Sequence, residues 1–68
     1  MAFAAKVQIM LSQAESGRIG SPEKPDRSNS LHYAFWAGYF NWKNRKPSKG
    51  TIPYPAYRAG EIFRKRRL

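Results

Sequence analysis

Apolar side chains recur at intervals of three and four residues near the start of the chain. This spacing is typical of a helix that buries one face, and it predicts a helix over residues 2–15 with Gly17 as its stop. Polar residues interrupt the apolar run and no charged segment precedes it, so we expect a core-packing helix rather than a secretory signal. The stripe consists of Phe3, Val7, Met10, Leu11 and Ala14.

Residues 16–30 change in character, since they contain two Gly, two Pro and four Ser but only one strongly apolar residue, Ile19. Such a composition predicts a linker or a long loop. The segment is long enough for the first helix either to pack against the rest of the chain or to swing free. The sequence leaves this choice open.

A second helix is predicted over residues 31–44, with Asn29 or Ser30 as its N-cap. It is apolar nearly all round, so other helices, a second copy of the chain or a ligand must cover it. A homodimer therefore remains possible. Its six aromatic residues fall within ten positions: Tyr33, Phe35, Trp36, Tyr39, Phe40 and Trp42.

A third helix is predicted over residues 55–67, after a loop at 45–54, because Pro55 suits the first position of a helix. The second and third helices match at an offset of 22 residues, with Gly38 equivalent to Gly60. A glycine inside a helix costs about 1 kcal/mol relative to alanine, which suggests a compensating close contact between the two helices. We therefore expect one small all-α domain: an N-terminal amphipathic helix, a flexible loop, and an antiparallel helical hairpin with Gly38 and Gly60 at its contact.

Length and composition narrow the classes of function. The 68 residues include no cysteine and a single histidine, His32, and no two acidic residues are spaced to work as a pair. A chain this short builds a small core and no deep cleft, so we expect neither an enzyme nor a metal or other cofactor. No apolar run reaches the length that spans a membrane, and we expect a cytoplasmic protein.

Positive charge is concentrated in the last 26 residues. The formal net charge is +9, and residues 43–68 hold nine of the 13 Lys and Arg residues but only one acidic residue, Glu61. Such a density favours a polyanionic partner, with nucleic acid as the leading candidate. The candidate binding residues are Lys43, Arg45, Lys46, Lys49, Arg58, Arg64, Lys65, Arg66 and Arg67.

Aromatic residues beside this charge are candidates for stacking on bases or for anchoring a protein partner. They are Trp36, Trp42, Tyr54 and Tyr57. For Trp42, Tyr54 and Tyr57 a core position is the commoner role for such a residue, but the sequence alone does not exclude stacking.

The pattern of residues 33–67 resembles the ribosome modulation factor family. The matching residues are Ala37-Gly38, Pro53-Tyr54-Pro55 and the segment Ala56-Tyr57-Arg58-Ala59-Gly60. The resemblance implies a small basic bacterial or phage protein that binds ribosomal RNA and regulates translation by modulating the ribosome.

Two other functions stay open at this point. A small phage-type protein could bind and inhibit a host protein through its aromatic helix. Duplex DNA binding is less favoured, because the third helix has no Asn or Gln to read base edges and would contact the sugar–phosphate backbone only.

Overall fold

A computed structural model describes residues 3–20, 22–23 and 28–67. It contains three helices, α1 (Phe3–Glu15), α2 (Ser30–Tyr39) and α3 (Tyr54–Arg67), and one 3₁₀ turn at Lys43–Arg45. No strand occurs within the described ranges, so the prediction of an all-α protein is confirmed.

The end of α1 follows directly from Gly17, as predicted. Gly17 adopts a left-handed conformation with φ of 77°. The backbone N–H of Gly17 then donates to the Ala14 carbonyl at 3.1 Å, and that of Arg18 to the Gln13 carbonyl at 2.9 Å. This pair of bonds satisfies carbonyls that the helix end would otherwise leave unpaired.

The segment after α1 is a loop, but its beginning is fastened to the core. Ile19 is buried, and its carbonyl accepts a hydrogen bond of 2.9 Å from the indole Nε1 of Trp36. The first helix is therefore tied to α2 by residues 16–20 and does not swing free. Residues 21 and 24–27 of the predicted linker lie outside the described residues.

The start of α2 agrees with the sequence, and its end does not. The Asn29 side chain caps the helix by accepting from the backbone N–H groups of Leu31 and His32. The helix stops at Tyr39 rather than at residue 44, because Asn41 adopts a left-handed φ of 60°. Asn is one of the few residues besides Gly that tolerates this conformation, so the prediction of a longer helix was wrong.

Helices α2 and α3 pack with their backbones almost in contact at two glycines. A Cβ atom on Gly38 would overlap the carbonyl oxygen of Tyr57, and one on Gly60 would overlap the carbonyl oxygen of Phe35. The two contacts are reciprocal, because Phe35 and Tyr57 are also 22 residues apart. Each glycine thus makes room for the backbone of the opposite helix.

The direction of this pair differs from the antiparallel course that the repeat predicted. Leu31 near the start of α2 borders the same hollow as Pro55 at the start of α3. At the other end, Arg64 donates to the Tyr39 carbonyl at 3.2 Å. The N-terminal ends of α2 and α3 therefore lie together, as do their C-terminal ends. The connection at 40–53 runs back along α2. Ten helical residues span only about 15 Å, which this connection easily covers.

The core lies where α1 and α2 meet α3. Helix α1 packs closely along α3. At the starts of these two helices the rings of Phe3 and Tyr54 are 5.6 Å apart. Phe35 and Tyr57 are among the largest fully buried side chains. The buried apolar residues are Val7, Met10, Leu11, Ile19, Ala34, Phe35, Trp36, Ala37, Ala56, Tyr57, Ala59 and Phe63.

We expect Gly38→Ala to lower the free energy of unfolding by about 3 kcal/mol or more, because the new methyl group meets backbone that cannot move aside. A domain of this size has little stability to lose, so much of the variant should be unfolded. Urea denaturation followed by far-UV circular dichroism measures the change.

Gly17→Ala is the matched control, since it is the same substitution with open space around the new methyl group. Its left-handed backbone should cost only about 1 to 2 kcal/mol. Without the close contact, the helix preference of alanine alone would make Gly38→Ala more stable than the wild type. That result would contradict the close contact.

Candidate nucleic-acid interface

The basic last turn of α3 lies beside the end of α2, and a second basic segment, the 3₁₀ turn, follows that end in sequence. The Tyr39 carbonyl accepts a hydrogen bond from Arg64, and Asn41 borders a shallow hollow together with Arg64 and Lys65. The 3₁₀ turn starts two residues after Asn41. We call the following exposed residues the basic end: Lys43, Arg45, Lys46, Arg64, Lys65, Arg66 and Arg67.

Two arginines of the basic end are held in place by the protein itself. Besides its bond to Tyr39, Arg64 places its guanidinium 5.4 Å from the centre of the Tyr39 ring. The guanidinium of Arg67 lies 5.0 Å from the centre of the Phe63 ring. Both contacts orient cations at the last turn of α3, where positive charge also interacts favourably with the helix dipole.

The other five residues of the basic end are exposed cations, and no described acidic side chain lies within ion-pair distance of them. Within the ranges that the structure describes, the one ion pair joins Arg58 to Glu61. Their charges therefore remain open to a polyanion. These five are Lys43, Arg45, Lys46, Lys65 and Arg66.

Two of the predicted binding residues lie apart from the basic end. Arg58 is half-buried and its Nη1 lies 3.2 Å from Glu61 Oε1, which compensates its charge. Lys49 precedes Gly50, which borders a hollow with Phe3 and Lys6 at the starts of α1 and α3. The structure therefore places Arg64 and Lys65 beside the end of α2, with Arg66 and Arg67 in the same last turn of α3, while Lys43, Arg45 and Lys46 follow that end of α2 in sequence.

The four aromatic candidates divide into two groups. Trp36 and Tyr57 are only 6% and 1% exposed, so the prediction that they stack on a base or anchor a partner is corrected. Trp36 on α2 is covered by Ile19, and Tyr57 on α3 packs against α2. Trp42 and Tyr54 are half-buried, with Trp42 packed 6.0 Å from Tyr33 and Tyr54 packed on Phe3.

Phe40 is the aromatic residue that sequence reasoning missed. Its side chain is 37% exposed, and its ring stacks on that of Trp42 at 5.6 Å between centroids and 22° between planes. The predicted helix to residue 44 placed Phe40 on a face that other elements should cover. Asn41 is the sequence signal that could have predicted the exposure of Phe40. A helix that ends before Asn41 leaves Phe40 beyond its packed part.

The described residues contain no group of three or more His, Asp or Glu side chains that could hold a metal ion. Among the same residues, no helix is both long enough and apolar enough to cross a membrane.

Comparison with protein-family models, with curated proteins and with solved structures gives no match for this chain. The resemblance to the ribosome modulation factor family therefore stays a prediction.

The buried position of Tyr57 has a consequence at alkaline pH. Burial, and secondly the negative charge of Glu61, raise the pKa of the Tyr57 phenol above its usual value of 10.0. The folded protein thus favours the neutral phenol. The associated stability is complete below pH 10, where the unfolded chain is also neutral, and it is lost as the pH rises through the folded pKa.

We expect the wild type to lose stability relative to Tyr57→Phe as the pH rises above 10, because the variant has no phenol to ionise. Urea midpoints of both proteins, measured side by side from neutral to alkaline pH, test this. A difference between the two midpoints that stays constant above pH 10 would contradict it.

Proposed function

We propose that this chain is a non-enzymatic RNA-binding protein that contacts the sugar–phosphate backbone through its basic end. One observation carries the proposal: the ends of α2 and α3 lie together, joined by the Arg64–Tyr39 hydrogen bond. On this proposal, the basic 3₁₀ turn that follows α2 and the last turn of α3 act as one binding surface.

Physical chemistry supports a polyanion as the ligand of this surface. Cations crowded at one end repel each other, and a row of phosphates would relieve that repulsion. Each phosphate neutralised by Lys or Arg also releases condensed counterions, which favours binding at low salt. Arg64 and Arg67 are held by aromatic rings, so less side-chain freedom is lost when they bind.

The position of the charge favours RNA over sequence-specific reading of duplex DNA. A recognition helix reads bases with side chains near its N-terminus, whereas α3 carries its cations in the last turn. Its exposed side chains are Lys and Arg, which suit phosphates. Ribosomal RNA, and a role in modulating the ribosome, are the specific targets that the family resemblance implies.

Binding of a host protein through the aromatic helix has less support. That hypothesis requires aromatic anchors on the surface of α2, and Trp36 is buried against Ile19 instead. Helix α3 covers the opposite side through the glycine contacts.

We expect Lys65→Ala and Arg66→Ala each to weaken RNA binding at low salt, whatever the RNA sequence. Each loss of a phosphate contact should also lower the slope of log affinity against log salt by about 0.7 for single strands. Fluorescence anisotropy with a labelled RNA, repeated from about 50 to about 200 mM salt, measures both quantities.

Lys49→Ala and Lys6→Ala are matched controls, because they remove the same charge from the opposite end of the protein. Their affinities should stay close to that of the wild type. Equal losses from variants at both ends would show that net charge alone governs binding, and the proposal would then fail.

The ribosomal target has a separate test. Purified chain should sediment with ribosomes at low salt, and the Lys65→Ala, Arg66→Ala double variant should remain in the supernatant. Sedimentation of both proteins to the same extent would contradict binding through the basic end.

A further inference from the structure

We infer that the Phe40–Trp42 pair is a stacking platform for one unpaired RNA base, so that the basic end selects single-stranded over double-stranded RNA. The inference deepens the proposed function and rests on it. Phosphate contacts alone would leave both forms of RNA acceptable.

The first argument is the exposure of Phe40. Large apolar side chains at the surface are ordinary when they are isolated, but this one lies between basic segments. Phe40 is 37% exposed and comes three residues before Lys43, the first residue of the basic 3₁₀ turn. On its other side in sequence, Tyr39 is held by Arg64.

The second argument is that the ring is rigidly supported. The near-parallel Trp42 ring backs Phe40 at 5.6 Å, and Tyr39 meets Phe40 edge-on, with 5.0 Å between centroids and 88° between planes. Trp42 is in turn positioned by its backbone N–H, which donates to the Ala37 carbonyl at 2.8 Å. A ring held in this way loses little conformational freedom when a base stacks on it.

The third argument is complementarity between this surface and one kind of RNA. An unpaired base offers an apolar π-face, and the phosphates on either side of it are negative. Phe40 supplies the matching face, Lys43 and Arg45 follow it closely in sequence, and Arg64 contacts the neighbouring Tyr39. In a duplex the bases are already stacked on each other, and the deep major groove of RNA hides their edges. Single-stranded RNA is therefore the ligand that matches both the aromatic ring and the cations.

A substitution that removes the aromatic face while retaining apolar volume tests the inference. The probes are a labelled single-stranded RNA of about 12 nucleotides, within the usual site size, and the blunt duplex of the same sequence. The wild type should bind the single strand more tightly. Phe40→Leu should weaken single-strand binding about tenfold, because the stacking of one base on an aromatic ring is lost. Duplex binding and the salt slope should not change, since no phosphate contact is lost.

Phe3→Leu is the matched control, because Phe3 is 47% exposed but lies at the other end of the protein, beside Lys6 and Tyr54. Its affinity for the single strand should equal that of the wild type. Phe40→Trp covers the case in which leucine disturbs the fold. This variant keeps an aromatic face, and single-stranded RNA should quench the fluorescence of its added indole. The fluorescence of the added indole in Phe3→Trp should not be quenched.

Three results would overturn the inference: wild-type affinity of Phe40→Leu for the single strand, no added quenching in Phe40→Trp, or duplex binding as tight as that of the single strand. Each of them leaves the basic end intact as a phosphate-binding surface if affinity still falls with salt and with Lys65→Ala. A wild-type chain that binds neither RNA would instead remove the proposed function and the inference together.

Discussion

The near contact of two helix backbones at Gly38 and Gly60 is the constraint on which the rest of this structure depends. Each glycine lies against the carbonyl of a residue in the other helix, Tyr57 or Phe35, and no larger residue fits there. Close approach lets the surrounding side chains interlock, which increases the dispersion contacts of a very small core. Phe35 and Tyr57 flank the glycines and are themselves fully buried. A chain without cysteine has no disulfides, so it depends on such dense packing.

The same contact decides where the charge lies. With α2 and α3 running in the same direction, the last turn of α3 lies beside the end of α2, and the basic 3₁₀ turn follows that end in sequence. Repulsion between the two basic segments opposes this arrangement. Arg64 offsets part of it by bonding to the Tyr39 carbonyl and packing on the Tyr39 ring. Packing energy therefore holds these cations in place, and relief of the remaining repulsion is the physical basis of the proposed polyanionic ligand.

Local signals in the sequence predicted most of the helical structure. Asn29 as a cap and Gly17 as a stop act through bonds to residues within five positions, so their effects are visible without the fold. The end of α2 was missed because Asn41 is compatible with a helix and with a left-handed turn, and the turn wins where it lets Trp42 pack on Tyr33 and Phe40. Trp36 and Tyr57 looked like possible anchors because a sequence pattern does not say which faces of an aromatic helix are covered.

The sequence by itself determined that the protein is helical, that Gly38 and Gly60 are equivalent positions, and that the positive charge belongs to its last 26 residues. These features depend on residue type and spacing alone. Only the tertiary structure decided the direction in which α2 and α3 cross, since a two-fold relation between the glycines is satisfied by either direction and the connection is long enough for both. That direction places the cations in the last turn of α3 beside the end of α2, separates Lys49 and Arg58 from them, and leaves Phe40 exposed next to Tyr39, which Arg64 contacts.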